Sequence, residues 1–169
     1  GCHWRHPLVN INPPVQTGLH GEAKTYTVSV TNENINKGGC PSSTYTLNPQ
    51  ALGGPSYSIS PNTLTLTPGE TGNATLTSTV DNDVFAGTHL IYVRATDTEY
   101  GNLDNSLGWS WAQVVHKVEP GHINDSSPPA IPSNLGISTR AANSVSLAWN
   151  AASDNVGLTG YKVIRSTTD

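Results

Sequence analysis

Short segments in which apolar and polar residues alternate run through most of this chain, and prolines, glycines and asparagines separate them. Successive side chains of a β-strand point to opposite faces of its sheet, so this alternation predicts strands with one apolar face. The clearest case is 23–32, where Tyr26, Val28 and Val30 alternate with threonine and serine. No stretch of comparable length repeats with the period of a helix, so a sheet can cover its apolar face only with a second sheet. The pattern predicts an all-β chain built on a two-sheet sandwich.

Eight segments carry this strand pattern, with turn residues between them, as is typical of a sandwich. They cover residues 7–12, 23–32, 43–47, 56–60, 62–67, 72–80, 87–97 and 108–118. The Pro13-Pro14 pair predicts a stop after the first segment, because proline cannot donate a ladder hydrogen bond. Within 87–97, Leu90, Tyr92 and Ala95 break the strict alternation, which predicts a β-bulge in that strand.

The composition changes after residue 119. Residues 120–131 are rich in proline, glycine and serine and contain too few apolar side chains to pack, so they are interpreted as a linker. The 169 residues suffice for one sandwich of about 100 residues and part of a second. We therefore predict a sandwich over 1–119, a linker over 120–131 and an incomplete second domain over 132–169.

Charge and hydropathy exclude two classes of partner. The net charge is −4 and the pI about 5.8, whereas binding to nucleic acid requires a basic face. No apolar run approaches the roughly 20 residues that cross a bilayer, and no signal peptide is recognised. The low content of charged residues, 12%, together with abundant serine and threonine, is typical of secreted scaffolds. The chain is interpreted as a mature or trimmed soluble protein that binds no nucleic acid and has no membrane span.

Two cysteines, Cys2 and Cys40, allow one disulfide. On the loop-entropy model, closing this loop restrains the unfolded chain by about 4 kcal/mol. Such a bond predicts an oxidising compartment. In the alternative interpretation, Gly1-Cys2 is the remnant of a lipoprotein cleavage site, Cys2 is acylated and Cys40 is free. A mass measurement before and after reduction distinguishes the two.

The carboxyl-terminal segment resembles the start of a bacterial fibronectin type III module. The resemblance rests on residues 132–135, 144–149, 153–157 and 160–165. It implies the first three strands of that fold, A, B and C, with Trp149 as a core residue packed against Tyr161 or Val163. Because three strands cannot bury both faces of such a core, further strands or another chain must complete it.

Residues 2–118 resemble immunoglobulin-like modules of the NEW3 type, which accompany catalytic domains in secreted bacterial glycoside hydrolases and proteases. The matching features are Cys2 ahead of a proline-bounded first strand, then 26–32, 39–40, 64–69 and Gly87. His89 departs from the pattern, since similar modules usually carry an aromatic residue there. The resemblance implies a bacterial accessory module on the outside of the cell, and it transfers no catalytic residue.

No arrangement of nucleophile, base and orienting group, and no pair of carboxylates, can be recognised in the sequence, so we predict that the chain is not an enzyme. We also expect no organic cofactor. Calcium is the one candidate ion, because it prefers oxygen ligands such as those of an acidic loop. The candidate ligands are Asp97, Glu99, Asp104 and Asn105. The alternative is that these residues serve only as turn formers.

Aromatic residues form the candidate ligand site. Trp109 and Trp111 lie two apart on one predicted strand and therefore share a face. If that face is exposed, both rings can stack against sugar rings; if it is buried, they are packing residues. The opposite face, with Ala112 and Val114, is equally apolar and is the better core candidate. The predicted ligand-binding residues are Trp109, Trp111, Tyr100, Gln113 and Trp4.

These observations lead to two functional hypotheses. The first is a non-catalytic accessory module that spaces an attached catalytic domain and can serve as its carbohydrate-binding platform, with polysaccharide and neighbouring domains as partners. The second is a structural subunit of an extracellular adhesin or filament, in which one chain completes the sheet of another. Glycan binding that is lost on Trp109→Ala favours the first, and polymers that resist dilution favour the second.

Overall fold

The computed structural model describes residues 1–100, 108–122, 127–155, 157–158 and 160–166. This part of the chain contains strands and turns and no helix, so the predicted all-β class is confirmed. The strands are β1 (Cys2–His3), β2 (Leu8–Asn12), β3 (Val15–His20), β4 (Lys24–Thr31), β5 (Ile35–Asn36), β6 (Ser43–Ala51), β7 (Ser56–Ser60), β8 (Thr63–Leu66), β9 (Thr71–Thr79), β10 (Gly87–Asp97), β11 (Trp109–His122), β12 (Ser133–Ala141) and β13 (Ser144–Asn150).

Two sheets face each other in the sandwich. One has five strands in the order β3-β11-β10-β6-β8, and the other has four in the order β2-β4-β9-β7. Neighbouring strands are antiparallel, except that β3 runs parallel to β11. The short strands β1 and β5 pair separately at the amino-terminal end. The two sheets are of the antiparallel kind that keeps one face on the core and the other in solvent.

The core lies between these sheets and is formed by the alternate residues that the sequence pattern predicts. Val28 and Val30 of β4 and Leu76 of β9 have no exposed surface. Tyr26 links the sheets, because its hydroxyl donates to the Val115 carbonyl of the opposite sheet at 2.9 Å. Burial raises the pKa of Tyr26 to about 12, so the phenol remains a neutral donor.

The predicted bulge in β10 is absent. β10 pairs with β11 in one register, from Gly87 with Val118 to Thr96 with Trp109. Leu90 and Tyr92 point outward, and the inward set contains Ala95 together with two polar residues, His89 and Asp97. The prediction was wrong because it assumed that apolar residues mark the inner face. The two buried polar side chains are hydrogen-bonded to backbone groups and can therefore occupy inner positions.

The strand β3 was not predicted, since Pro13-Pro14 was taken as a stop. The inward residues of β3 include Gly18 and His20, which give no apolar signal. The ladder begins just after the prolines, where the Val115 N–H donates to the Pro14 carbonyl at 2.9 Å. A second strand without a predicted counterpart, β5, lies between the segments 23–32 and 43–47, where the sequence indicated only turn residues.

The carboxyl-terminal segment contains an antiparallel pair, β12 and β13. They match the first two strands implied by the resemblance, whereas residues 160–166 form no strand. The Trp149 and Tyr161 rings nevertheless meet edge to face, with centroids 5.4 Å apart. The strand β11 continues to His122, so the first residues of the predicted linker belong to the sandwich.

Candidate functional site

Strand β11 separates an exposed face from a buried one. Val114 and Val118 point into the core and are 1% exposed. The odd-numbered residues of the strand, which include Trp109, Trp111 and Gln113, therefore lie on the outer surface of the five-stranded sheet. Trp111 is 51% exposed. The two tryptophans therefore lie on the outer surface of the sandwich, about 7 Å apart along the strand.

The neighbouring strand β10 completes what we call the aromatic face, defined by Tyr92, Arg94, Trp109, Trp111 and Gln113. The Arg94 guanidinium carbon lies 4.3 Å from the centroid of the Trp109 ring. Tyr92 meets Trp111 edge to face, with centroids 5.5 Å apart. The register places Arg94 beside Trp111 and Tyr92 beside Gln113. The rings and the guanidinium thus form one contiguous surface.

Amide side chains from strand β6 extend this surface. Gln50 pairs with Tyr92, and Asn48 pairs with Arg94, on the side away from β11. Both amides are exposed. An amide offers two donors and an acceptor, which suits the hydroxyl groups of a sugar. The sequence alone did not indicate Arg94, Tyr92 or these amides, because only strand pairing brings them beside the tryptophans.

Trp4 and Tyr100, two of the predicted ligand residues, contact each other. Their rings are stacked, with centroids 4.7 Å apart and planes inclined by 9°. The amino-terminal segment is held near β11 by His6, whose Nδ1 donates to the Trp109 carbonyl at 2.8 Å. In this arrangement each of the two rings covers one face of the other, which leaves less surface for a ligand than Trp111 offers.

Asp97 occupies a turn at the end of β10 and is only 3% exposed. Its Oδ1 accepts the N–H groups of Glu99 at 3.0 Å and Tyr100 at 3.1 Å, as in an Asx turn. Asp104 and Asn105 lie outside the described residues. Within the described ranges, no cluster of three histidine, cysteine or acidic side chains is arranged to hold a metal. Calcium binding by this loop stays a prediction.

Cys2 and Cys40 are joined in a disulfide. The bond lies beside the β1–β5 pair, in which Cys2 faces Asn36 and His3 faces Ile35. The Asn36 carboxamide oxygen caps the following turn and accepts the Cys40 N–H at 3.3 Å. Because both sulfurs are used, neither is available for the acylation that was the alternative interpretation.

A serine–histidine pair occurs in the core. Ser78 Oγ and His116 Nδ1 are hydrogen-bonded at 2.8 Å, and both residues have no exposed surface. A nucleophile and base must reach a substrate, and this pair is enclosed between the sheets. His116 Nε2 has no hydrogen-bond partner among the described residues. The pair is therefore a structural feature.

Burial lowers the pKa of His116, and the charges of His89 and Lys24 lower it further. The negative charge of Glu22 raises this pKa and so acts in the opposite direction. The unfolded chain then binds more protons than the native protein as the pH falls below about 6.5. We expect the free energy of unfolding to decrease from about pH 6.5 down to the native pKa of His116. Urea unfolding at a series of pH values measures this slope, and His116→Gln is expected to flatten it. His3→Gln, at an exposed position, is the control; an equal flattening by both variants contradicts the assignment.

No protein-family model matches the chain. Exoglucanase B of Cellulomonas fimi is 40% identical over 101 residues, which is 57% of this chain and 9% of that enzyme. Chitinase A1 of Niallia circulans is 34% identical over 82 residues, or 48% of this chain and 11% of the enzyme. Chitinase Chi52 of Paenibacillus xylanexedens is 50% identical over 42 residues, or 25% of this chain and 8% of the enzyme. The chain thus matches module-sized parts, about a tenth or less, of these relatives, and the NEW3 resemblance stays a prediction.

Two solved structures match about two thirds of the chain at low sequence identity. A FixG-related protein from Vibrio parahaemolyticus has a TM-score of 0.46 at 17% identity, covering 67% of this chain and 94% of that one. WR4, a member of the MSP family from C. elegans, has a TM-score of 0.43 at 10% identity, covering 68% of this chain and all of that one. A helix of the length and hydropathy needed to span a membrane does not occur in the described ranges.

Proposed function

We propose that the chain is a non-catalytic accessory module of a secreted, multi-domain bacterial enzyme that degrades polysaccharide. The relatives that support this are called chitinases and exoglucanases, and the chain matches only a small part of each. The Ser78–His116 pair is enclosed in the core, where it cannot reach a substrate, and this supports a non-catalytic role. A disulfide fits an extracellular location.

Polysaccharide binding is the specific activity that we assign to the aromatic face. The observation that carries this proposal is the outward position of Trp111 beside Tyr92 on a sheet whose other face is core. Sugar rings present flat C–H surfaces that stack on aromatic rings, and their hydroxyls can bond to Gln113, Gln50 and Asn48. Because the rings are supported by strands, the platform is fixed before the ligand arrives, which lowers the entropy cost of binding.

Replacing Trp111 by alanine is expected to weaken polysaccharide binding about thirtyfold, the equivalent of about 2 kcal/mol for an exposed aromatic anchor. Affinity electrophoresis in gels that contain soluble polysaccharides measures the change. Tyr57→Ala is the matched control, because Tyr57 is an aromatic residue, 42% exposed, on a strand of the opposite sheet. Equal affinities of wild type and Trp111→Ala, with both proteins folded, contradict the assignment.

A second candidate function follows from the apolar surface of the carboxyl-terminal segment. Leu135 is 68% exposed and Val163 60%, and both line an open pocket of ≈ 330 Å³ beside Trp149. An exposed apolar surface of this kind needs a cover, and a strand from another chain is one solution. Polymers that persist on dilution would support a filament subunit, and a monomer at every concentration would contradict it.

A further inference from the structure

The aromatic face contains a cation without a counter-charge in the described structure. The outer surface of the five-stranded sheet carries three charged residues in its described strands: Arg94, Lys117 and Glu119. Lys117 and Glu119 form an ion pair at 2.9 Å, about 20 Å along β11 from Trp111. Arg94 is in no ion pair with any described carboxylate. Within the described ranges, no carboxylate neutralises the charge of Arg94.

The position of Arg94 limits what it can do. Its guanidinium is placed over the Trp109 ring, at 4.3 Å from the centroid. A guanidinium that already rests on an aromatic ring is partly ordered, so less rotamer entropy is lost when an acceptor binds. A planar fork of N–H donors matches the two oxygens of a carboxylate.

In the strands that the structure describes, no acidic residue lies next to Arg94 on the same face. Its cross-strand neighbours are Trp111 and Asn48, which are uncharged. Asp97, on the same strand, points into the core, and its carboxylate accepts backbone N–H groups there. An anion that approaches the aromatic face therefore meets a positive charge with uncharged side chains across both neighbouring strands.

We propose that Arg94 makes the aromatic face selective for polysaccharides whose sugar residues carry a carboxylate, that is, uronate-containing polymers. The inference rests on the proposed polysaccharide-binding function and adds its ligand class. The sugar ring packs on Trp111 and Tyr92, and its carboxylate accepts two N–H groups from the Arg94 guanidinium. A neutral polymer lacks that second contact.

The test compares two forms of one polymer, polygalacturonate and its carboxyl-reduced derivative, by isothermal titration to the full chain. We expect the uronate form to bind about tenfold tighter at low salt, as is typical of a charge-assisted hydrogen bond. Added salt should reduce that difference. Arg94→Gln should abolish it, Arg94→Lys should retain only part of it because lysine lacks the planar fork, and Lys117→Gln should leave it unchanged.

The outcomes separate this inference from the proposed function. Equal binding of both polymers, with both affinities lost in Trp111→Ala, overturns the uronate selectivity and leaves the aromatic face as a polysaccharide site. A sulfated polymer tests whether the site prefers carboxylates. If the affinity ratio of dextran sulfate to dextran exceeds that of polygalacturonate to its reduced form, the assignment to carboxylates is overturned. If none of these polymers binds, both the uronate selectivity and the polysaccharide-binding function are contradicted.

Discussion

Removal of the disulfide by Cys2→Ser and Cys40→Ser together is expected to lower the free energy of unfolding by about 4 kcal/mol. The bond joins residues 38 positions apart, and the enclosed loop contains β2 and β4, two strands of the four-stranded sheet. Without it the unfolded chain gains the conformational freedom of that loop, while the native contacts of the core stay in place. Urea unfolding of the double variant against the oxidised wild type measures the difference.

Reduction of the wild-type protein provides the internal control. The reduced protein should unfold at the same urea concentration as the double serine variant, because both lack the same cross-link. If oxidised and reduced wild type unfold together, the bond does not restrain the unfolded chain and the prediction is wrong.

Leu76→Ala is expected to cost about 3 kcal/mol, within the range of buried leucine truncations. Leu76 has no exposed surface and lies at the middle of β9, where Tyr26 and Ile59 are its partners on the two adjacent strands. With large neighbours on both sides, the backbone of a sheet cannot collapse into the space that is left, so the cavity persists. The shift of the urea midpoint, at constant slope, measures the loss.

Thr75→Ala is the matched control, since Thr75 is the adjacent residue of β9 and points outward. Its replacement should change the free energy of unfolding by less than about 0.5 kcal/mol. A comparable effect at both positions would mean that the alternation of β9 does not separate core from surface.

The strand pattern of the sequence was a sound guide wherever apolar residues occupy the inner face. In β4 and β9 the period of two fixes which residues point inward, and the structure buries Val28 and Leu76 accordingly. The pattern failed in β10, where His89 and Asp97 take inner positions, because nearby backbone groups, those of Phe85 and Glu99, satisfy their polar atoms there. A count of apolar residues cannot detect such partners.

Asn32 shows the same limit at a turn. The sequence indicated only a turn after β4. In the structure the Asn32 side chain is fully buried, and both its amide nitrogen and its amide oxygen are hydrogen-bonded. Its Nδ2 donates to the Leu66 carbonyl at 2.9 Å, and its Oδ1 accepts the Asn34 N–H at 3.0 Å. The bond to Leu66 bridges residues 34 positions apart, so no local pattern reveals it.

The candidate site was only partly predictable. That Trp109 and Trp111 share a face follows from their spacing, but which face of β11 meets solvent depends on the opposite sheet. Arg94 and Tyr92 join the tryptophans through the β10–β11 register, which pairs residues 17 apart in the case of Arg94 and Trp111. One local feature could have indicated their position: Leu90, Tyr92 and Arg94 are spaced two apart in 87–97 and so share a face of the strand. The predicted bulge interrupted this alternation and hid the feature.

The sequence by itself determined the class of the fold, the inner residues of its most regular strands and the sharing of one face by the two tryptophans, because each depends on the two-residue period of an extended chain. The tertiary structure decided the rest. The strand β3, the phase of β10 and the position of Arg94 over Trp109 all arise from pairing between distant segments, and the free energy of such contacts is absent from any short window of the sequence.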